Sequence, residues 1–257
     1  MRHRQIATIA RFTLLEAWRT RLPWLFIIVL GLILGTAYFI QQLAITESAR
    51  LQIAFSAAAT RFAAVFVLSL HILTSIVREF NDKGLELTLS FALPRSHYIL
   101  GRLFGFALIA LLVALIATLP QLLLAPPDAA LQWGLSLALE LAIMTALSLF
   151  CIVTFTQLMP AASFVFGFYL LARALTAIRL MSDTPLFGGD TLSHQVISLL
   201  VDALALVLPA LDRFTQSSWL VDSTASWLNL GANAVQAALY IVLLGAAAMF
   251  DFYRRNL

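Results

Sequence analysis

Apolar residues in this chain gather in runs of about 20, roughly the length of helix that crosses the hydrocarbon core of a bilayer. Short polar stretches separate the runs. They predict six spans, at about Leu22–Ile40, Ala54–Val77, Tyr98–Leu124, Leu131–Leu158, Ala161–Leu180 and Ala234–Phe250. A membrane β-barrel would instead alternate apolar and polar residues over segments of about 10. Ahead of the first span, Ile6, Ile9, Ala10, Thr13, Leu14 and Ala17 share one helical face, while Arg4, Thr8, Arg11 and Arg19 share the other. That pattern predicts an amphipathic helix within residues 1–21, lying in the membrane interface and anchored by Trp18 and Trp24. A long connection, about Met181–Asn233, follows the fifth span. Within it Val196, Leu199, Leu200, Ala203, Leu206 and Val207 repeat at helical spacing before Pro209, which predicts an interfacial or re-entrant helix.

Composition narrows the class. The chain is 61% hydrophobic and 11% charged, with a mean hydropathy of +0.94. An ordinary soluble domain is about half apolar and a quarter charged. The reading is a polytopic, all-α membrane protein, treated as one domain because no linker, repeat or low-complexity tract divides residues 1–257. Nothing resembles a basic nucleic-acid surface. The single Cys151 permits no intrachain disulfide. No small-x-small cleavage pattern follows the first apolar run, so it reads as an uncleaved span.

The placement of charge predicts sidedness. Arg2, Arg4, Arg11, Arg19 and Arg21 precede the first span, Arg78, Lys83, Arg95 and Arg102 surround the second connection, and Arg254 and Arg255 follow the last span. Acids dominate the opposite side: Glu47, Asp128, Asp183, Asp190, Asp202, Asp212 and Asp222, against Arg50, Arg179 and Arg213. By the positive-inside rule both termini and the second connection are cytoplasmic.

That connection, REFNDKGLELTLSFALPRSHYILGR over Arg78–Arg102, holds seven charged residues and the chain's only lysine. Glu79 and Lys83 stand i,i+4 in the favourable order for a helix leaving the lipid. Gly84 can turn that helix, and Pro94 pushes its predecessor away from helical geometry. Between them LELTLSFAL predicts a short helix across the cytoplasmic ends of two spans. Lys83 lies between Asp82 and Gly84, so no G-x-x-x-x-G-K-[ST] phosphate loop exists here. Any ATP chemistry therefore belongs to another chain, and the charges read as a protein–protein contact. Glu79, Asp82, Glu86, Arg95 and Arg102 would form its polar rim, with Leu85, Leu89 or Phe91 as apolar anchors.

The segment resembles the coupling region of ABC-2 type permeases, the membrane subunits of one class of ABC transporters. In that family an acidic residue precedes G-x-E-L-x-L, then a P-x-[SP]-R turn, then G-K. The matching residues are Glu79, Gly84, Glu86, Leu87, Leu89, Pro94, Arg95 and Gly101. Ala92 stands where the turn's first proline is usual, and Arg102 replaces the lysine, keeping its charge but not its compact shape. The resemblance covers essentially the whole chain, and LPALDRFTQSSWL is similar to the P-x-x-D-x-[FY] passage of the multicopper-enzyme-maturation branch. It implies a permease, an exporter, of a bacterial inner membrane. Its partners would be a second permease copy and a cytoplasmic ABC ATPase dimer, which would hold ATP and Mg, with no cofactor in this chain. Residues 78–97 would then be the coupling segment, with Gly84, Ser90 and Pro94 shaping the helix that docks on the ATPase. An integral-membrane scaffold or sensor of the same fold is the alternative, and a membrane enzyme ranks below both.

Charges inside spans are costly and are usually paired or face a cavity. Glu140 lies roughly 14 Å into the fourth span and Arg173 roughly 10 Å into the fifth, at 1.5 Å per residue, and Arg61 lies in the outer part of the second. A Glu140–Arg173 or Glu140–Arg61 pair is expected, as a static tie or a substrate contact. His71, Thr74 and Ser75 on the inner half of the second span could line a path or bond to neighbouring helices. His3, His71, His97 and His194 are too scattered for a metal site. Gly31-x-x-x-Gly35 and Gly101-x-x-x-Gly105 permit close helix approach and are read as a dimer seam. Phe164, Phe166, Phe168 and Tyr169 read as packing or lipid contact.

Overall fold

A computed structural model describes residues 2–43, 47–82, 94–183, 199, 201–204 and 207–254. Every regular element among these residues is helical. The helices are α1 (Arg2–Arg19), α2 (Leu22–Leu43), α3 (Ser48–Asn81), α4 (Arg95–Leu124), α5 (Pro127–Phe155) and α6 (Leu158–Asp183). A 3-10 turn at Leu211–Arg213, a short α7 (Ser217–Val221) and α8 (Trp227–Arg254) follow. Six of these, α2 to α6 and α8, are long and apolar enough to cross a membrane. The chain is accordingly a multi-pass membrane protein, and the expected spans fall inside these helices except the fourth, Leu131–Leu158, which overruns the end of α5 at Phe155 and reaches the start of α6.

The bundle is organised around α5. Of its apolar stretch 72% is buried, against 22% for α2. A helix that is apolar on all sides needs neighbours on all sides; α5 has α3, α4, α6 and α8 around it. Trp133, Leu137, Leu141, Met144 and Ile152 fill this centre. Gly134 lets α4 approach, since a Cβ there would meet the Thr118 side chain, with Cγ2 at 2.8 Å. The aromatic group on α6 packs as expected: Phe166 stacks on Phe66 with centroids 4.2 Å apart, and Tyr169 meets Phe62 edge-on at 5.7 Å.

The first helix behaves differently from its prediction. Its two faces are those read from the sequence, with Ala10, Thr13 and Ala17 buried and Thr8, Arg11 and Arg19 exposed. The buried face, however, lies on α4 rather than in lipid. A Cβ at Gly101 would sit 2.7 Å from Ile9 Cβ, and one at Gly105 would sit 2.7 Å from Thr13 Cβ. The Gly101/Gly105 seam is therefore occupied within this chain, by α1, while Gly31 and Gly35 have nothing within 4 Å. Glycines admit backbones to such distances because they carry no side chain. The chain then reverses at Thr20 and Arg21, the latter in the left-handed region at φ 58°. Phe12, Trp18 and Trp24 remain exposed along this edge.

In the long connection, Leu199, residues 201–204 and Val207 are helical, and Leu208 N–H donates to Leu204 O at 2.8 Å ahead of Pro209.

Candidate functional site

Two buried charge clusters form on the bundle, one at the middle part of α3 and one near its C-terminal end. Arg61 and Glu79 lie eighteen residues apart on that helix, roughly 27 Å at 1.5 Å per residue.

The cluster at the α1 end joins three helices. Arg102 on α4 donates through Nη1 to Glu16 Oε2 on α1 at 2.9 Å and to Thr13 Oγ1 at 3.2 Å, and through Nη2 to Glu79 Oε2 on α3. Tyr98 OH donates to Glu79 Oε2 at 2.8 Å, and Ser75 Oγ donates to Glu16 Oε1 at 2.6 Å. The Arg102 guanidinium also lies 5.7 Å from the centre of the Phe106 ring. Helical spacing explains the convergence: Ser75 and Glu79 are i,i+4 on α3, as Tyr98 and Arg102 are on α4. Nearby, His97 Nδ1 and Gln5 Oε1 hydrogen-bond at 2.9 Å, a second tie between α4 and α1. Burial alone would raise the Glu16 carboxyl, but the bond from Ser75 and the bond and charge of Arg102 outweigh it and hold the group below its ordinary value.

These contacts revise the predicted rim. Arg102 is buried and turned inward, and Glu79 is committed to Arg102 and Tyr98, so neither stands free at the surface. Asp82 is exposed where α3 ends, with its N–H on Arg78 O. Pro94 is exposed and extended at the head of α4, and its carbonyl accepts from His97 N–H at 2.9 Å. Arg95 opens that helix. Gly84, Leu85, Glu86, Leu89, Ser90 and Phe91 lie outside the described residues, and with them the short helix expected between Gly84 and Pro94.

The second cluster sits under the loop that follows Pro209. Glu140 on α5 is fully buried and pairs with Arg173 of α6 at 3.3 Å. Arg173 Nη1 also donates to the carbonyls of Leu211 at 2.7 Å and Phe214 at 3.1 Å. Arg61 on α3 does not reach Glu140; its Nη1 donates to Thr215 O at 2.8 Å. Thr215 closes the arrangement, its hydroxyl donating to Glu140 Oε2 and its N–H to Ser136 Oγ at 3.1 Å. Its φ of 43° is the left-handed region that β-branched residues avoid, so these bonds hold it against its backbone preference. Asn233 Nδ2 on α8 donates to Arg213 O at 3.2 Å, and Thr176 Oγ1 on α6 to Asp212 Oδ2 at 2.7 Å. Of the two pairs expected from the sequence, the structure makes Glu140–Arg173 and gives Arg61 to the loop backbone.

Of the polar residues read on the inner half of the second span, Thr74 bonds to Leu70 O at 2.7 Å and Ser75 joins the α1 cluster. His71 Nε2 is buried without a hydrogen-bond partner. Sequence reasoning missed Glu16 and Thr215. Glu16 carried a signal, being the one acid in a basic first helix, three residues after a threonine on its buried face. Thr215 carried none, because a left-handed threonine has no local marker.

Compared with protein-family models and with curated proteins, the sequence matches none.

Proposed function

We propose that the chain is the membrane-spanning permease subunit of an ATP-driven ABC transporter, an exporter, that couples to a separate ATPase subunit. The observation that carries this reading is the order Glu79, Gly84, Glu86, Leu87, Leu89, Pro94, Arg95, Gly101 between the second and third of six apolar helices. The tether around it supports the reading. Glu79 and Arg102, which flank the segment, hold the ends of α3 and α4 together and to α1. A push on residues 84–95 would then move α1, α3 and α4 as one unit instead of bending a loose loop. In this reading Glu86 and Arg95 face the ATPase, and ATP and Mg stay in the partner. Exposed Phe12, Trp18 and Trp24 suit the interfacial level of a bacterial cytoplasmic membrane, with both termini cytoplasmic. A second permease copy would complete the path.

The test is to look for a Walker-type ATPase encoded beside it and to purify the two together, followed by Glu86→Arg and Arg95→Glu. Loss of the complex and of permease-dependent ATP hydrolysis is expected; survival of both sinks the coupling contact. Normal ATP turnover without substrate movement in vesicles would favour the integral-membrane scaffold instead.

A further inference from the structure

Two neighbouring cavities, one between α1, α3 and α4 and the other between α2 and α3, differ in chemistry. One, of about 540 Å³, is lined by Arg19, Arg78, Asp82 and the carboxylates and guanidinium of the α1 cluster. The other, of about 340 Å³, is walled by Leu22, Leu25, Val67 and Leu70, with His71 among its polar residues. Thr20 and Arg78 line both. Each volume is within or near the range of small-ligand sites, and the pair is amphiphilic: a charged chamber leading to an apolar groove.

Its position suits a membrane amphiphile. Leu22 begins α2 and Arg78 lies one turn before the end of α3, so the charged chamber is at the boundary of the spans and the groove runs into them. Trp18 and Trp24, both exposed, mark the same level. Within the chamber Glu16, Glu79 and Arg102 satisfy one another. Arg19, Arg78 and Asp82 make no ion pair among the described residues, which leaves two cations and one anion facing the cavity. His71 adds a buried, unpartnered ring nitrogen on the groove side.

We propose that these joined cavities hold one phospholipid with a primary-ammonium headgroup. Arg19 and Arg78 take its phosphate, Asp82 takes its ammonium, and one acyl chain lies along Leu25, Val67 and Leu70. Arginine suits the phosphate through paired N–H donors, and a carboxylate accepts from a primary ammonium but finds no N–H on choline. An anionic headgroup lacking the ammonium would leave Asp82 unanswered and close to a like charge. This site stands whether or not the chain is a transport subunit.

The experiment is native mass spectrometry of the full chain, delipidated in detergent and titrated with phosphatidylethanolamine, phosphatidylglycerol or phosphatidylcholine, and separately with inorganic phosphate. One phosphatidylethanolamine should be retained at least about 5-fold more tightly than either other lipid. Arg19→Ala with Arg78→Ala should abolish that retention. Asp82→Asn should erase the preference over both phosphatidylglycerol and phosphatidylcholine, and Leu70→Trp, which fills the groove, should weaken all three lipids. The three polar positions are exposed, so these variants are expected to fold, and unchanged melting temperatures would establish it. Equal retention of the lipids, retention unaffected by the double arginine variant, or displacement of the lipid by inorganic phosphate alone would each overturn the proposal.

Discussion

At the α1 end of the bundle two carboxylates share one arginine, whereas beneath the 211–215 loop two arginines lie beside one carboxylate and only Arg173 pairs with it. The inversion shows how each cluster disposes of its surplus. The surplus positive charge at the loop is absorbed by backbone carbonyls of Leu211, Phe214 and Thr215. That makes an anchor: the charges are spent on holding a connection against the helices. The surplus negative charge at the α1 end borders an open chamber with Arg19 and Arg78 on its walls. That makes a seam between helices that stays open to ionisation, because Glu16 at its centre borders the chamber.

The comparison is broken most decisively at Glu140. Glu140→Ala leaves Arg173 without its ion-pair partner in a buried site and should cost about 3–5 kcal/mol, read as a drop in thermal stability in detergent. Hydrogen exchange should rise over residues 209–221 and stay unchanged in α1; the reverse pattern would refute the anchor. Arg102→Ala is expected to cost less, about 2–3 kcal/mol, because Glu16 and Glu79 keep some solvent access. Here exchange should rise in α1 and the end of α3, and Arg102→Lys should recover part of the loss.

Packing sharpens the contrast further. Gly105→Val drives a side chain into Thr13 and should cost about 1–3 kcal/mol through overpacking, releasing α1. Gly31→Ala and Gly35→Ala have open space around them and should be neutral, or stabilise by up to about 1 kcal/mol through helix propensity. If Gly35→Ala destabilised the isolated chain as much as Gly105→Val, the assignment of the seam to α1 would be wrong. The smallest effect is titration. Glu16 is held below its ordinary value of 4.5, so its contribution is fully present above that value and is lost as pH falls through the depressed one. Acidification in that window should loosen α1 by exchange, and Glu16→Gln should remove the pH dependence.

How much of this was legible follows from the range of each interaction. The Glu140–Arg173 tie could be anticipated, because a charge in a span must find a partner and few were on offer. The loop carbonyls could not, since backbone oxygens carry no sequence label and residues 140, 173 and 211 meet only after the chain has doubled back. Gly101 and Gly105 announced a close approach without naming the visitor. The amphipathic first helix was readable as such, but whether its buried face met lipid or protein depended on the shape of α4. Arg102 was counted as a rim charge because its segment is polar; its inward turn depends on Glu16, some 86 positions away.

By itself the sequence determined six membrane-crossing helices, a preceding amphipathic helix and their breaks, since runs of apolar residues, prolines and helical periodicity act over a turn or a bilayer's thickness. Only the tertiary structure decided that α5 is the centre, that α1 belongs to α4, and which charge answers which. Those outcomes rest on shape and on pairings between distant residues, where several partners satisfy the same local pattern and only one fits.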